Sequence, residues 1–353
     1  FVKVLKSSYA VNKNSLIIKN VSDLFSALIL ITVFWLGTKE IFQNNLSTGE
    51  LLSFYTLYNY LSAPIAALLM SNRNVQDALI AADRLFQIMN LEQEKFPKNN
   101  LDLNKLTNNS LEFKNVYFRY PGQLFELKNI NIKTHGGKIS AFIGESGSGK
   151  STIFSLIQKV ISPAKGIINV SGIDIDSFPK EIINSKIGLV PQNIILFKSS
   201  ILRNITLSDD TADITKLYEI VDLLGMRSFI ESLPGKLNTM VEENGENLSG
   251  GEKQKIAIAR TLYHNPDIIL FDEASSALDS HSEYYLKQLT LQLKEQNKNV
   301  ILIAHRLVSI IHADIIYVLK NGEIIESGSH QSLLKNKKEY SKLWSLQNSH
   351  VFS

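Results

Sequence analysis

The pattern of hydrophobic and polar positions differs between the first 91 residues and the rest of the chain. In residues 1–91, two long uncharged apolar stretches are separated by a polar turn at 43–50. An apolar helix of about 20 residues crosses the roughly 30 Å core of a bilayer, so spans are predicted at about 22–42 and 50–72. The first stretch is short enough that, taken alone, it also suits a buried core helix. The pattern favours a helical hairpin in a membrane.

The charges around this hairpin predict its orientation. Four lysines precede the first stretch and Arg73 and Arg84 follow the second, whereas the segment that joins the two uncharged stretches carries only Lys39, Glu40 and Glu50. Because cytoplasmic loops are rich in Lys and Arg, both ends of the hairpin are expected to face the cytoplasm. Apolar residues at helical spacing predict a cytosolic helix over 74–91. Two spans are too few to enclose a pathway, so we expect a truncated all-α transmembrane region cut from a longer polypeptide.

The pattern changes after residues 92–110, which are rich in Asn and Lys and predict a linker. From residue 111 to 353, short apolar runs alternate with helical patterns, which predicts a parallel sheet covered by helices. Alternating runs at 111–118 and 127–133 predict a separate antiparallel sheet, and 200–265 predicts a helical subdomain. Five runs are apolar throughout except at Ser140, as strands buried on both faces require: 139–143, 187–190, 268–271, 300–303 and 315–319.

Composition excludes several classes of protein. A hydrophobic content of 44% with 20% charged residues is typical of a globular chain and excludes a disordered one. The absence of cysteine excludes disulfides, thiolate catalysis and cysteine-bound zinc. A net charge of +3 is too small to indicate nucleic acid, and no nucleic-acid partner is expected.

The clearest chemical signal is the segment GESGSGKS at residues 144–151, which matches the phosphate-binding pattern GxxxxGK[ST]. It follows a buried strand and opens a helix, so the fold class is an α/β P-loop NTPase cassette. Backbone N–H groups in such a loop point at phosphate oxygens. Lys150 is predicted to reach the β- and γ-phosphates of ATP, and the Ser151 hydroxyl to bind Mg²⁺.

Two further segments fit this chemistry. The apolar run at 268–271 ends in Asp272, placed to hold Mg²⁺, and Glu273, placed to act as general base toward water. Acid pairs after strands also occur as ordinary helix caps, and the phosphate loop favours the catalytic interpretation. Ser249 precedes two glycines and Glu252 at a helix start, which predicts a helix N-terminus left open for an anion.

Taken together, residues 111 to about 346 resemble the ATPase cassette of ABC transporters. The resemblance rests on the phosphate loop, on LSGGE at 248–252 for the family's signature, and on Gln192 in its glutamine loop. It also rests on its D-loop at 276–279, its switch histidine His305, and Tyr120 at the position that stacks on adenine. The segment ENGE at 243–246 resembles the loop by which exporters contact their membrane domains. The signature differs from the usual pattern only in having Glu252 where Gln is common.

The resemblance implies a set of site residues. The catalytic residues are Glu273, His305, Lys150 and Gln192, and the Mg²⁺ ligands are Ser151, Gln192 and Asp272. The residues expected to contact ATP come from the adenine-stacking position, the phosphate loop, the glutamine loop, the D-loop and the signature, which acts on the partner's ATP: Tyr120, Gly144, Glu145, Ser146, Gly147, Ser148, Gly149, Lys150, Ser151, Thr152, Gln192, Ser249, Gly250, Gly251, Glu252 and Asp279. In the family, the signature completes the site of a partner cassette, which implies a dimer, here expected to be a homodimer of half-transporters.

Four kinds of protein carry such cassettes. A DNA-handling ATPase splits its cassette with a long coiled coil, a translation-type protein carries two cassettes, and an importer keeps its membrane domain on a separate chain. The hairpin before this single cassette favours an exporter in the cell membrane, in contact with lipid, with its ATPase in the cytoplasm. The segments at 49–56 and 74–91 resemble exporters of bacteriocin- or lantibiotic-type peptides, and export of a protein toxin, lipid or drug is the alternative. Such exporters often carry a cysteine-peptidase domain, which would lie before Phe1.

Overall fold

The computed structural model describes residues 2–90, 108–122, 126–207, 212–273, 280–304 and 306–349. The chain divides into two compact units, Phe1–Glu94 and Lys95–Ser353. The division lies inside the predicted linker, of which residues 92–107 are outside the described part of the chain.

The N-terminal unit is a hairpin of two long helices, α1 (Val2–Phe42) and α2 (Thr48–Met89). Each has just over 40 residues and is about 60 Å long, roughly twice the thickness of a bilayer core. Ser47 and Glu50 form a capping box that starts α2: the Ser47 N–H donates to the Glu50 carboxylate at 2.8 Å. The predicted turn is therefore shorter than expected and ends at Ser47.

One stretch of this unit, Lys19–Phe42, is long and apolar enough to cross a membrane, and none of it is buried within the chain. A core helix of a soluble domain would be covered, so its exposure agrees with the first predicted span. The second predicted span, 50–72, lies inside α2; among the described residues it does not meet the same criterion, and it stays a prediction. The helix over 74–91, which we expect to carry the membrane helix down into the cytosol, is the last part of α2, which continues through Asn72 and Arg73 without a break and ends at Met89.

The C-terminal unit contains two sheets. The first has four strands in the order β2-β1-β4-β5, all antiparallel, and the second has six in the order β10-β9-β3-β8-β7-β6, of which only β10 runs antiparallel to its neighbour. The strands are β1 (Leu111–Arg119), β2 (Glu126–Thr134), β3 (Lys138–Gly144), β4 (Lys165–Val170), β5 (Ile173–Asp174), β6 (Ile187–Val190), β7 (Ile268–Asp272), β8 (Asn299–Ile303), β9 (Ile315–Lys320) and β10 (Glu323–Gly328).

Helices cover the six-stranded sheet and form the subdomain inserted between β6 and β7. They are α3 (Lys150–Ile157), α4 (Lys180–Lys186), α5 (Ile201–Thr206), α6 (Ile214–Leu223), α7 (Arg227–Ser232), α8 (Gly250–Tyr263), α9 (Ser280–Glu295), α10 (His330–Asn336) and α11 (Glu339–Ser349). The predicted parallel-sheet core, antiparallel sheet and helical subdomain are all confirmed. The sequence did not indicate β4, β5 or β10.

The side chains on the two faces of the six-stranded sheet belong to two separate hydrophobic cores. Along β3, Ile139, Ala141 and Ile143 face one cluster, shared with the helical subdomain, whereas Phe142 faces the other, shared with the four-stranded sheet. All four are essentially buried. Because residues that are neighbours along a strand point to opposite faces, a continuously apolar strand is needed to fill both cores. The six-stranded sheet is therefore held rigidly between two layers, and its loops can be positioned accurately.

Candidate nucleotide-binding site

The phosphate loop joins β3 to α3, and its glycines are required by the backbone. Gly144 has φ 155°, and a Cβ there would lie 2.3 Å from the carbonyl oxygen of Leu319 on the neighbouring strand. Gly149 has φ 107° and caps α3 without any side-chain hydrogen bond. The first-turn N–H groups of α3 therefore have no capping side chain, and an anion can take that place.

Lys150 lies inside this loop rather than in solvent, with 5% of its surface exposed. Its Nζ donates to the carbonyl oxygens of Gly144 at 2.7 Å and Glu145 at 3.0 Å. Burial lowers the pKa of Lys150, while the charges of Glu273 and Asp272 act in the opposite direction. The ammonium group is thus held by carbonyl oxygens at the centre of the loop, where phosphate oxygens would be stronger partners.

The other residues of the phosphate loop differ in their exposure to solvent. Ser148 and Thr152 are buried, whereas Glu145, Ser146 and Gly147 form the exposed tip. Ser151, the predicted Mg²⁺ ligand, is exposed on the first turn of α3, so its hydroxyl is accessible to a bound ion.

Two carboxylates stand where β7 ends. Asp272 is the last residue of that strand, and Glu273 follows with φ 50°, a left-handed conformation that is costly for a residue with a side chain. The Glu273 N–H donates to the carbonyl oxygen of Ile303 at the end of β8, at 3.1 Å. Backbone strain of this kind is concentrated at functional sites, and here the neighbouring strand holds Glu273 in place.

Gln192 comes two residues after β6, the strand that pairs with β7. Its side-chain amide donates a hydrogen bond to the Glu273 carboxylate. The glutamine loop and the predicted general base are therefore in direct contact, although 81 positions separate them in the sequence. Together with Lys150 and Asp272, they form one group at the carboxyl edge of the parallel strands.

Tyr120 follows β1 in the other sheet and is half-buried. Its ring packs edge-on against Phe118, with 4.8 Å between ring centroids. The contact with Phe118 orients the Tyr120 ring. The aromatic surface of Tyr120 is therefore preorganised for stacking.

The signature segment forms the start of α8 as predicted. Ser249 is the N-cap, its N–H donates to Glu252 at 2.8 Å, and its hydroxyl accepts from the Glu252 N–H at 3.3 Å, which completes a capping box. A Cβ added at Gly250 would meet nothing within 4 Å. Glu252 therefore helps to cap α8, a role that the sequence left open. Because Gly250 has no side chain, the space beside the capped helix start is not covered.

Two predicted site residues cannot be assessed in this way. Asp279 of the D-loop and His305 lie outside the described residues, and their roles stay predictions. Their flanks are described: Glu273 precedes the D-loop, and Ala304 and Arg306 border His305.

A partly buried polar cluster that joins α8 to the segment after Gln192 was missed by the sequence interpretation. Arg260 of α8 donates to the carbonyl oxygens of Asn204 at 2.7 Å and Ile195 at 3.0 Å, and its guanidinium group lies over the Phe197 ring. The Asn204 side chain in turn accepts from the Phe197 N–H at 2.8 Å. The signature helix is thereby tied to the segment that follows Gln192. An arginine in the last turn of a helix was the only local signal, and it equally suits a favourable dipole interaction.

Comparison with known proteins agrees with this geometry. Residues 127–276 match the family model described as ABC transporter. Leukotoxin translocation ATP-binding proteins LktB of Mannheimia haemolytica and Bibersteinia trehalosi are each 36% identical over 345 residues, 97% of this chain and 48% of theirs. A solved structure of a bacterial Atm1-family ABC exporter with ATP bound is 34% identical, with a TM-score of 0.71 over 86% of this chain and 53% of that one.

Residues 127–276 are an ABC transporter domain. The cassette that contains them is of the exporter type, binds ATP and is an ATPase. The chain spans about half the length of the curated relatives it matches.

Proposed function

We propose that this chain is part of an exporter in which ATP-driven pairing of two cassettes moves a secreted polypeptide across the cell membrane. The observation that carries the proposal is the convergence of Lys150, Asp272, Glu273 and Gln192 at one edge of the sheet. A membrane-length apolar helix, Lys19–Phe42, in the same chain supports export over soluble functions. The second span, the cytoplasmic position of the cassette and the homodimer belong to the same proposal.

The proposed chemistry assigns one task to each group. The loop N–H groups and Lys150 hold the β- and γ-phosphates, and Tyr120 stacks on adenine. Glu273 accepts a proton from water as the water oxygen bonds to the γ-phosphorus and the bond to the β,γ-bridging oxygen breaks. His305 contacts the γ-phosphate. The signature residues Ser249, Gly250, Gly251 and Glu252 act on the ATP of the partner cassette, and Asp279 of the D-loop contributes to ATP binding.

Magnesium fits the oxygen donors available at this edge. The Ser151 hydroxyl, the Asp272 carboxylate and the Gln192 amide oxygen are hard ligands, which Mg²⁺ prefers to nitrogen or sulfur. Bound there, Mg²⁺ would neutralise charge on the β- and γ-phosphates. Gln192 would present its amide oxygen to the ion, because its amide nitrogen is the atom that donates to Glu273.

An exposed apolar patch beside this site is the proposed contact for the membrane part of the transporter. Ile195, Phe197 and Met240 are 62%, 55% and 58% exposed, and a β-bridge between Ser200 and Met240 joins their two segments. The patch continues into the ENGE segment at 243–246. Arg260 joins the patch to the signature helix. A displacement of the patch would therefore move the helix end that is proposed to contact the partner's nucleotide.

Two cargo classes are supported by different observations. The segments at 49–56 and 74–91 resemble bacteriocin-type peptide exporters, and the LktB relatives are named for translocation of a leukotoxin. We propose a peptide first and a protein toxin as the second candidate. Both are polypeptides, which distinguishes the proposal from lipid or drug export.

Export by the full transporter tests this proposal. In inside-out membrane vesicles, ATP is expected to drive accumulation of a leader-bearing bacteriocin-type peptide, and Lys150→Ala is expected to abolish it because the triphosphate loses its adjacent buried cation. Lys335→Ala, an exposed lysine of α10, is the matched control. Transport of a protein toxin in place of the peptide would support the second cargo. ATP-driven movement of lipid alone would contradict both.

The adenine contact gives a separate prediction. Tyr120→Ala is expected to weaken ATP binding about fivefold, the effect of losing one stacking contact. Tyr120→Phe keeps the ring and its edge contact with Phe118, and is expected to bind ATP as the wild type does. Titration of a fluorescent ATP analogue measures both affinities. Equal affinity in the Ala variant would remove Tyr120 from the site.

A further inference from the structure

The segment after the switch histidine begins with a helix end that its own residues do not cap. The short 3-10 helix Leu307–Ile310 has Arg306 as its N-cap residue, and Arg306 forms no side-chain capping hydrogen bond. The side chains of Leu307 and Ile310 are nevertheless buried, at 2% and 0% exposure. Such a helix leaves N–H groups that need partners from elsewhere.

The partner comes from the C-terminal helix. Oε1 of Gln347 on α11 accepts the Leu307 N–H at 2.9 Å, across 40 positions of sequence. A distant side chain therefore serves as the cap that Arg306 does not provide. This hydrogen bond lies two residues after His305.

Helix α11 is anchored before it reaches that point. At its start, Glu339 forms an ion pair with Lys320 at 2.7 Å. Tyr340 is completely buried, its hydroxyl lies 2.6 Å from Nδ1 of His330, and the His330 ring packs 4.7 Å from that of Trp344. Gln347 thus extends from a fixed helix, so formation of the cap orders only its side chain and not the backbone that carries it.

The anchor also connects α11 to the strand beside the phosphate loop. Lys320 directly follows Leu319, which pairs with Gly144 at the start of that loop. On the other side of His305, the Ala304 N–H donates to the carbonyl oxygen of Phe142 at 3.3 Å. Both flanks of the histidine are therefore held, one by β3 and the other by Gln347.

We propose that Gln347 is a positioning residue for ATP hydrolysis: by capping the segment that follows His305, it fixes the approach of that histidine to the γ-phosphate. The inference rests on the proposed role of His305. It assigns a function in catalysis to α11, a helix that contains no family motif. Because Gln347 acts on the histidine and not on the adenine or the β-phosphate, it affects turnover and leaves ATP binding almost unchanged.

Steady-state ATPase kinetics of the full transporter test this role. Gln347→Met keeps the length of the side chain and removes the oxygen; we expect kcat to fall about fivefold, as for one lost hydrogen bond, with KM for ATP within about twofold. Gln347→Glu retains a carboxylate oxygen as acceptor and is expected to recover most of the activity. Ser345→Met is the matched control, since Ser345 is exposed and its hydroxyl donates within α11, to Lys342.

The thermal midpoint of unfolding separates positioning from simple stability. We expect the midpoint of Gln347→Met to match that of Ser345→Met, while kcat differs between the two. Unchanged kcat in an active protein would overturn the inference and leave the ATPase assignment intact. Loss of kcat together with a lower midpoint and no recovery by Gln347→Glu would also overturn it, since α11 would then be needed only for folding. A wild type without ATPase activity would overturn the role of His305 and this inference with it.

Discussion

Replacing Glu273 with Gln is expected to lower the ATPase kcat by about 100-fold or more while ATP binding is retained. The reason is local: Glu273 directly follows Asp272 at the end of β7, and its charge acts on the pKa of Lys150 in the phosphate loop, so it is the carboxylate placed to receive a proton from water. An amide oxygen still accepts the hydrogen bond from Gln192. The substitution therefore removes the base and keeps the geometry around it.

The measurement is single-turnover hydrolysis with ATP affinity determined in parallel. Glu295→Gln is a matched control, because Glu295 is an exposed glutamate of α9 and undergoes the same chemical change away from the site. Turnover of Glu273→Gln within about threefold of wild type would exclude Glu273 as the general base. Loss of ATP binding would instead indicate that the carboxylate supports the loop.

Much of the cassette could be predicted because buried parallel strands have a distinctive pattern. The runs that became β7 and β8 are apolar at every position, and the run that became β3 is interrupted only by the buried Ser140, since both faces are covered. The missed strand β10 reads EIIESG and lies at a sheet edge, where only part of it is buried. Strand β5 has only two residues. Edge and very short strands lack the burial that creates the signal.

The helix boundaries in the N-terminal unit were less predictable for a similar reason. Changes in polarity at Asn72 and Arg73 suggested that a span ended there, yet neither residue is a helix breaker. Helix α2 even accommodates Pro64 in its interior. Polarity reports the surroundings of a helix, whereas its ends are set by caps such as Ser47 and Glu50.

The parts of the candidate site that lie within a short segment could be predicted from the sequence. The contacts between residues far apart in the sequence could not. The phosphate loop and the signature cap are encoded within eight and four residues, respectively. The contacts of Gln192 with Glu273, of Arg260 with Asn204 and of Gln347 with Leu307 join positions 81, 56 and 40 apart. No spacing rule connects such pairs. They become visible only once the chain has folded.

Helix α8 provides the prediction with the widest consequence. With Glu273→Gln and ATP, a cassette of residues 106–353 is expected to change from monomer to dimer, because each ATP then bridges two chains and is not hydrolysed. Ser249→Arg is expected to prevent this change. The uncovered helix end at Ser249 and Gly250 would be filled by a long cation in the space that the partner's γ-phosphate must enter.

Light scattering with and without ATP, over a range of protein concentrations, measures the change. The matched control is Ser329→Arg, which places the same residue at another serine N-cap, that of α10, where the side chain also accepts a first-turn N–H. Each substitution removes a cap and costs about 1 kcal/mol of stability, so a stability effect alone would act equally on both variants. If Ser329→Arg dimerises and Ser249→Arg does not, the difference is assigned to the nucleotide at the signature. A dimer that tolerates Ser249→Arg would show that α8 does not contact ATP in the partner, and ATP would then have to join the cassettes through other residues.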